Sequence, residues 1–132
     1  MIKIAHISDI HFGAEDSKAV DKIIEDIDLQ KPRMIAVSGD LTQRAKSQQF
    51  EAAADFLDKL DYPMIVIPGN HDISLFNIFR RFYRPLKKFF KYISDDIFPE
   101  YEDDYMAAVG VNTARSLTWK GGRINEDQIH EI

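Results

Sequence analysis

Three short apolar segments, spaced about 30 residues apart, are each followed by side chains that can bind metal ions. The segment Met64-Ile65-Val66-Ile67 leads into Gly69-Asn70-His71-Asp72. Two earlier segments, residues 4–8 and 34–38, lead into Asp9-Ile10-His11 and Gly39-Asp40. Carboxylate, imidazole and amide groups suit divalent ions such as Mn, Fe, Zn or Mg. The repetition predicts one site that collects its ligands from three loops.

The ligand types can serve two ions. Asp9 and His11 are two positions apart, so on an extended segment both side chains can point the same way. Asp40 has two oxygens that can bridge a pair of ions, and Asn70 can supply a neutral oxygen to the second. Two ions about 3.5–4 Å apart can lower the pKa of a water molecule and stabilise an in-line displacement at phosphorus. These residues therefore predict a dinuclear phosphoryl-transfer site.

The neighbouring residues His71, Asp72 and His6 each have two alternative roles. His71 is expected either to protonate the leaving oxygen or to donate a hydrogen bond to the phosphoryl group. Asp72 is expected to orient His71 or to stabilise its cationic form. His6, inside the first apolar segment, is open to two interpretations: a hydrogen-bonded core residue or a residue that supports the metal ligands.

The elements that position these residues follow from apolar periodicity. Residues 2–8, 33–38 and 64–67 are predicted to be strands, with apolar runs typical of a parallel sheet. Asp16-Ser17 is expected to begin a helix that ends at Lys31-Pro32, and Ser47 to cap the next helix. The apolar helix stripes are Val20, Ile23, Ile24 and Ile27, then Phe50, Ala53, Ala54, Leu57 and Leu60. The βαβαβ order brings all three loops to one edge of the sheet, where α/β proteins bind ligands.

The rest of the chain has a different character. Residues 75–105 are predicted to form a basic-aromatic helical insertion followed by an acidic loop, which neutralises part of the basic face. The insertion is either a lid over an anionic substrate or an amphipathic helical pair with solvated charges. Strands are predicted near 106–111 and 116–119, and a helix after Asn125. Arg115 can reach a phosphate or serve a surface role.

Composition narrows the functional class. The 132 residues suit one domain, and the absence of cysteine leaves only nitrogen and oxygen ligands for a metal. A net charge of −5 argues against bulk nucleic-acid binding. The N-terminus lacks the layout of a signal peptide, and no apolar run reaches the roughly 20 residues of a membrane span. We expect a cytoplasmic protein with no membrane association.

The loops resemble the first three motifs of the calcineurin-like metallophosphoesterases. They are most similar to the branch of bacterial cyclic-nucleotide (class III) phosphodiesterases. The similar segments are Ser8-Asp9-Ile10-His11-Phe12-Gly13, Gly39-Asp40-Leu41-Thr42 and Ile67-Pro68-Gly69-Asn70-His71-Asp72. The resemblance implies an α/β/β/α sandwich, of which the chain contains the N-terminal βαβαβ half and part of the second sheet. It implies two divalent ions and hydrolysis of phosphoesters, with cyclic nucleotides as candidate substrates. Asp9 and His11 would bind the first ion, Asp40 would bridge, Asn70 would bind the second, and His71 would be catalytic.

The family pattern adds later ligand histidines in a Gly-His-x-His motif, whereas the only histidine after His71 is His130. We therefore expect residues 1–132 to be a single truncated domain with an apolar strand surface left uncovered. The leading hypothesis is the N-terminal half of a phosphodiesterase that acts on a small phosphoester. The alternatives are an inactive or metal-poor module used for protein interaction and a homo-oligomer that covers the exposed face.

Overall fold

The computed structural model of the chain describes residues 1–73, 85–114 and 124–130. Its first elements are β1 (Ile4–Ile7), α1 (Ser17–Gln30), β2 (Met34–Ser38), α2 (Ser47–Leu57) and β3 (Met64–Ile67). They are followed by a 3₁₀ turn (Asn70–Asp72), α3 (Lys87–Tyr92), β4 (Glu100–Glu102), β5 (Ala107–Val109) and α4 (Glu126–His130). The first three strands form a parallel sheet in the order β1-β2-β3, which confirms the predicted βαβαβ unit.

Helix α1 begins and ends as the sequence predicts. Asp16 is its N-cap, and the Asp16 Oδ1 atom accepts a hydrogen bond of 2.9 Å from the amide of Lys18. At the other end Lys31 adopts a left-handed conformation with φ of 49°, and its amide donates to the carbonyl of Ile27. Pro32 follows and cannot continue the helix. The helix therefore returns the chain to the start of β2.

Helix α2 follows the expected apolar stripe but has a different cap. Ser47 is its first helical residue, and Lys46 takes the N-cap position, so the prediction of a Ser47 cap is wrong. The side chain of Gln49 supplies the acceptor instead, because its Oε1 atom accepts from the amides of Arg44 and Lys46. Phe50 and Ala53 are fully buried on the stripe. These contacts also hold the loop that joins β2 to α2.

Strands β4 and β5 form a separate antiparallel pair. The predicted acidic loop therefore contains a strand, because Glu100–Glu102 pairs with the apolar segment Ala107–Val109. Beyond β5, a Cβ atom added at Gly110 would lie 2.7 Å from the Cγ2 atom of Ile67 and 2.8 Å from Pro99. This close approach packs the end of the hairpin against β3.

Asp103 of the acidic segment is held next to the start of β2. The carboxylate of Asp103 pairs with the Arg33 guanidinium and accepts a hydrogen bond of 2.6 Å from the Tyr101 hydroxyl. It also accepts hydrogen bonds from the amides of Tyr105 and Met106. The Tyr101 hydroxyl, the guanidinium and the two amides together hold the pKa of Asp103 well below its ordinary value.

The described part of the basic-aromatic insertion is a packed helix. Phe89 on α3 is fully buried, and the ring of Tyr92 stacks on Phe50 of α2 with a centroid separation of 6.2 Å. The Lys88 ammonium donates a hydrogen bond of 2.6 Å to the carbonyl of Ala45. These contacts favour the amphipathic-helix interpretation for residues 85–93. Residues 75–84 lie outside the described ranges, as do the predicted strand at 116–119 and Arg115.

Part of the parallel sheet is exposed at its β1 edge. Strand β1 lies at the edge of its sheet, and Ile2 and Ile4 are 46% and 52% exposed. His6 is exposed rather than part of the core, and its Nε2 atom lies 2.7 Å from the Ser38 hydroxyl. Among the described residues, no helix is both long enough and apolar enough to cross a lipid bilayer.

Candidate metal centre at the strand ends

The first two loops bring three predicted ligands together. One ligand atom from each of Asp9, His11 and Asp40 lies within 4.8 Å of the other two. Asp9 and His11 follow β1, and Asp40 follows β2, so the cluster forms at the carboxyl edge of the parallel sheet. Residues some 30 positions apart in the chain thus converge as the strand order predicts.

Backbone hydrogen bonds fix these two loops against each other. The amides of Asp9, His11 and Phe12 donate to the carbonyls of Gly39, Asp40 and Leu41 at 3.2, 3.0 and 2.8 Å. The pairing between β1 and β2 therefore continues beyond the regular strands and ends in a bridge between Phe12 and Thr42. The spacing of the ligands is set by the main chain.

The ligand-bearing residues adopt an unusual backbone conformation. Asp9, His11 and Asp40 have φ angles of 57°, 53° and 51°, in the left-handed region. This conformation costs a non-glycine residue about 1–3 kcal/mol and persists only where surrounding contacts enforce it. The ladder between the loops supplies those contacts. Such strain is concentrated at functional sites, and here it coincides with the predicted ligands.

The third loop reaches the cluster through a close contact between two glycines. A Cβ atom added at Gly39 would lie 2.5 Å from the nitrogen of Gly69, and one added at Gly69 would lie 2.2 Å from Asp40 Oδ1. Gly39 also has a positive φ of 83°. The absence of side chains at these positions lets the amide of His71 donate a hydrogen bond of 2.9 Å to Asp40 Oδ1.

Asn70 and His71 lie at the beginning of the 3₁₀ turn after β3. Asn70 is exposed, so its side-chain amide can be reached from solvent. The Nδ1 atom of His71 lies 3.0 Å from the carbonyl oxygen of Gln43. Because a carbonyl only accepts, Nδ1 carries the hydrogen and Nε2 is left for other chemistry. The His71 ring meets the His11 ring edge to face, with centroids 4.7 Å apart.

The Asp72 carboxylate makes its described hydrogen bonds to residues other than His71. This buried carboxylate accepts from the amides of Leu41, Thr42 and Gly69 at 3.2, 2.8 and 2.9 Å, and from the Thr42 hydroxyl at 3.0 Å. Burial raises the pKa of Asp72, and the donors from Gly69, Thr42 and Leu41 lower it. The ring of His71 instead takes its partner from the main chain at Gln43.

The donor set fits a divalent cation. The Nδ1 atom of His11 is buried and has no hydrogen-bond partner in the described chain, while Nε2 lies 3.8 Å from Asp9 Oδ1, beyond hydrogen-bond distance. His11 therefore has a ring nitrogen free of hydrogen bonds, which an imidazole needs in order to bind a metal. Two carboxylates and an imidazole within 4.8 Å are ligands of the type that Mn, Fe and Zn accept.

The sequence patterns assign no role to Thr42 or Gln43. Thr42 is fully buried, and its hydroxyl also accepts a hydrogen bond from the amide of Ala45. The sequence signal for a role of Thr42 is its position directly after Gly39-Asp40-Leu41. In the structure Thr42 is buried, whereas Arg44 in the same loop is exposed. Gln43 acts through its carbonyl oxygen, which is the same in every residue type, so its identity cannot reveal the role.

Comparisons with known proteins agree with this geometry. The sequence model of the calcineurin-like phosphoesterases matches residues 2–132. The chain is 32% identical over 94 residues to glycerophosphodiester phosphodiesterase GpdQ of Enterobacter lignolyticus, covering 63% of the chain and 33% of that protein. It is 31% identical over 85 residues to a probable cyclic nucleotide phosphodiesterase of Fibrobacter succinogenes, covering 54% and 31%.

A third relative is named for a different activity. The chain is 31% identical over 86 residues to a component of the nuclease SbcCD of Staphylococcus saprophyticus, covering 54% of the chain and 23% of that protein. The matched region therefore spans a third or less of the length of each of these relatives.

Proposed function

Because the chain belongs to the calcineurin-like phosphoesterase family, we propose that its strand-end loops form the metal centre of a metal-dependent phosphohydrolase. Asp9 and His11 would hold a first divalent ion, Asp40 would be shared with a second, and Asn70 would contribute to the second. His71 is the catalytic histidine. The metals are drawn from Mn, Fe, Zn and Mg, in keeping with the nitrogen and oxygen donors.

One observation carries the proposal: the convergence of three loops on Asp40. The ligand atoms of Asp9 and His11 lie within 4.8 Å of that of Asp40, and the amide of His71 donates to Asp40 Oδ1. A stability role alone does not explain three acidic or basic side chains held by left-handed residues at one edge of a sheet. The same edge is where α/β proteins bind their ligands.

The residues of the chain orient the His71 ring, and His71 provides a proton for the reaction. Divalent ions, when bound, lower the pKa of a water molecule and stabilise negative charge on the phosphoryl group. The Gln43 carbonyl fixes His71 with its hydrogen on Nδ1, so that Nε2 is the atom that exchanges a proton. In the imidazolium form, Nε2–H donates to the leaving oxygen or to the phosphoryl group.

The proposed substrates are phosphodiesters, and cyclic nucleotides are the candidates of first choice. The support is that relatives from different bacteria are named glycerophosphodiester phosphodiesterase and cyclic nucleotide phosphodiesterase. The name of the nuclease relative points to a nucleic acid instead, but the net charge of −5 disfavours a polyanion. A small phosphodiester suits both the names of the first two relatives and the charge.

A second candidate function is a metal-poor module for protein interaction. The observation that favours it is the exposure of Ile4 on edge strand β1 and of Ile2 just before the strand. An apolar edge strand is suited to pairing with another polypeptide. The two candidates differ in metal content, because only the phosphohydrolase requires bound cations.

Metal loading followed by an esterase assay tests the proposal. The protein is saturated with Mn²⁺, desalted and analysed for metal, and turnover of bis(p-nitrophenyl) phosphate is measured for wild type, His71→Ala and His130→Ala. His130 is the matched control, because it is exposed on α4 and is not among the predicted ligands. We expect at least one ion per chain and turnover that only His71→Ala abolishes. Metal well below one ion per chain, without turnover, would favour the interaction module.

A further inference from the structure

Asp72 is a buried carboxylate beside the metal centre. It is 1% exposed, and each of its two carboxylate oxygens accepts two hydrogen bonds. Oδ1 accepts from the amide and the hydroxyl of Thr42, and Oδ2 accepts from the amides of Leu41 and Gly69. With its acceptor positions filled in this way, Asp72 is not free to bind a cation or a substrate.

The four donors come from two different loops. Leu41 and Thr42 follow β2, whereas Gly69 follows β3. The carboxylate therefore ties together two chain segments that are about 30 residues apart. Each segment also contains a proposed site residue adjacent to this tie. Asp40 directly precedes Leu41, and His71 directly precedes Asp72.

The position of Asp40 depends on this tie. Its Oδ1 atom accepts the His71 amide at 2.9 Å, and a Cβ atom added at Gly69 would lie only 2.2 Å from the same oxygen. The two loops are therefore in direct contact through this hydrogen bond. Any separation of the loops lengthens the contact between the proposed bridging carboxylate and the proposed catalytic residue.

The geometry leads us to propose that Asp72 is a positioning residue, which sets the spacing between Asp40 and His71 by holding the loops after β2 and β3 together. The inference rests on the proposed function of Asp40 and His71. Asp72 acts through Leu41, Thr42 and Gly69 and touches neither cation nor substrate. Only a carboxylate meets the requirement, because an amide would turn an NH₂ group toward two N–H or O–H donors.

The test compares Asp72→Asn with Asp103→Asn. The control is chosen because Asp103 is a partly buried carboxylate that also accepts four hydrogen bonds, from Arg33, Tyr101, Tyr105 and Met106. Its site is at the opposite end of β2, where Arg33 precedes the strand. Both substitutions replace a carboxyl oxygen with an NH₂ group and disturb a network of four hydrogen bonds, so a general loss of stability affects both variants.

The first measurement does not require a metal. Amide hydrogen exchange by NMR reports the bond between the His71 amide and Asp40. We expect this amide to exchange about tenfold faster in Asp72→Asn than in wild type, as for the loss of one hydrogen bond. In Asp103→Asn it should exchange at the wild-type rate after correction for global stability. Wild-type protection of His71 in a folded Asp72→Asn protein would overturn the inference.

The second measurement is Mn²⁺ affinity by calorimetry. Loss of a residue that supports metal ligands weakens binding about 10–100-fold, and we expect this loss in Asp72→Asn but not in Asp103→Asn. Equal affinity in wild type and Asp72→Asn would overturn the inference. If wild type binds no Mn²⁺, the proposed function fails, while the exchange of the His71 amide still judges Asp72.

A milder variant keeps the test decisive if Asp72→Asn does not fold. Thr42→Val removes the hydroxyl bonds to the Asp72 carboxylate and to the His71 carbonyl, together with the acceptor for the Ala45 amide. We expect faster exchange of the His71 amide in Thr42→Val and restoration in Thr42→Ser, which keeps the hydroxyl. Identical exchange in Thr42→Val and wild type would overturn the inference.

Discussion

Adding a single methyl group at Gly69 should weaken metal binding more than a comparable loss of stability elsewhere in the chain does. In Gly69→Ala the new Cβ atom would lie 2.2 Å from Asp40 Oδ1 and 2.3 Å from the Asp40 amide nitrogen, whereas ordinary van der Waals contacts begin at 3.4 Å. One of the two loops must therefore move by about 1.2 Å. Overpacking of this kind costs about 1–3 kcal/mol of unfolding free energy. The displaced group is the proposed bridging carboxylate.

The expected loss of Mn²⁺ affinity is about 10–100-fold, similar to that for loss of a residue that supports a metal ligand. Calorimetric titration measures it, and urea unfolding measures the stability. Gly110→Ala is the matched control, because its Cβ atom would lie 2.7 Å from Ile67 Cγ2 and 2.8 Å from Pro99 Cγ, both side-chain atoms outside the metal cluster.

Gly110→Ala should lose stability by a similar amount and keep wild-type metal affinity. The reasoning is refuted if Gly69→Ala binds Mn²⁺ as wild type does, or if both variants lose affinity equally. The first result would mean that the contact with Asp40 relaxes without consequence. The second would mean that metal binding follows general stability.

Three further predictions concern stability. Thr42→Val should lower the unfolding free energy by about 1–3 kcal/mol, because it leaves a buried Asp72 oxygen with one donor fewer. Thr42→Ser keeps the hydroxyl and should not lower it. Urea unfolding measures the stability of both variants. Phe89→Ala should cost about 3–5 kcal/mol with unchanged Mn²⁺ affinity, whereas a loss of turnover without a loss of stability would favour a lid. The Tyr101 hydroxyl contributes most to lowering the pKa of Asp103 below its ordinary 3.8, so this stabilisation is complete above about pH 4 and is lost as the pH falls further. Thermal unfolding across this range should show a smaller acid dependence for Asp103→Asn than for wild type.

The strands and helices of the first half follow from the sequence because their patterns are local. The third strand is predicted at 64–67 and is found there, and the capping role of Asp16 is confirmed. Apolar runs of four to five residues ending at polar loops predict a parallel sheet, and the sheet geometry then predicts that the loops meet. The convergence of Asp9, His11 and Asp40 is therefore predictable from the strand order.

Features that depend on distant contacts are not predictable in this way. Asp72 is adjacent to His71 in sequence, yet its carboxylate bonds to Leu41, Thr42 and Gly69, because the 3₁₀ turn directs it toward the neighbouring loop. The strand at Glu100–Glu102 forms within a strongly acidic segment only because the apolar strand β5 pairs with it. His6 has an apolar strand context but is exposed, since burial on an edge strand depends on what covers that face.

The strand order also has a consequence for synthesis on the ribosome. Each strand of the parallel sheet pairs with the strand made just before it, in the order β1, β2, β3. At a translation rate of about 5–20 residues per second, each partner emerges within a few seconds of the last. Asp9 and Asp40 can therefore meet before β3 has left the ribosome, and His71 joins them afterwards. The nascent chain can assemble its cation-binding edge stepwise, without waiting for any strand made later.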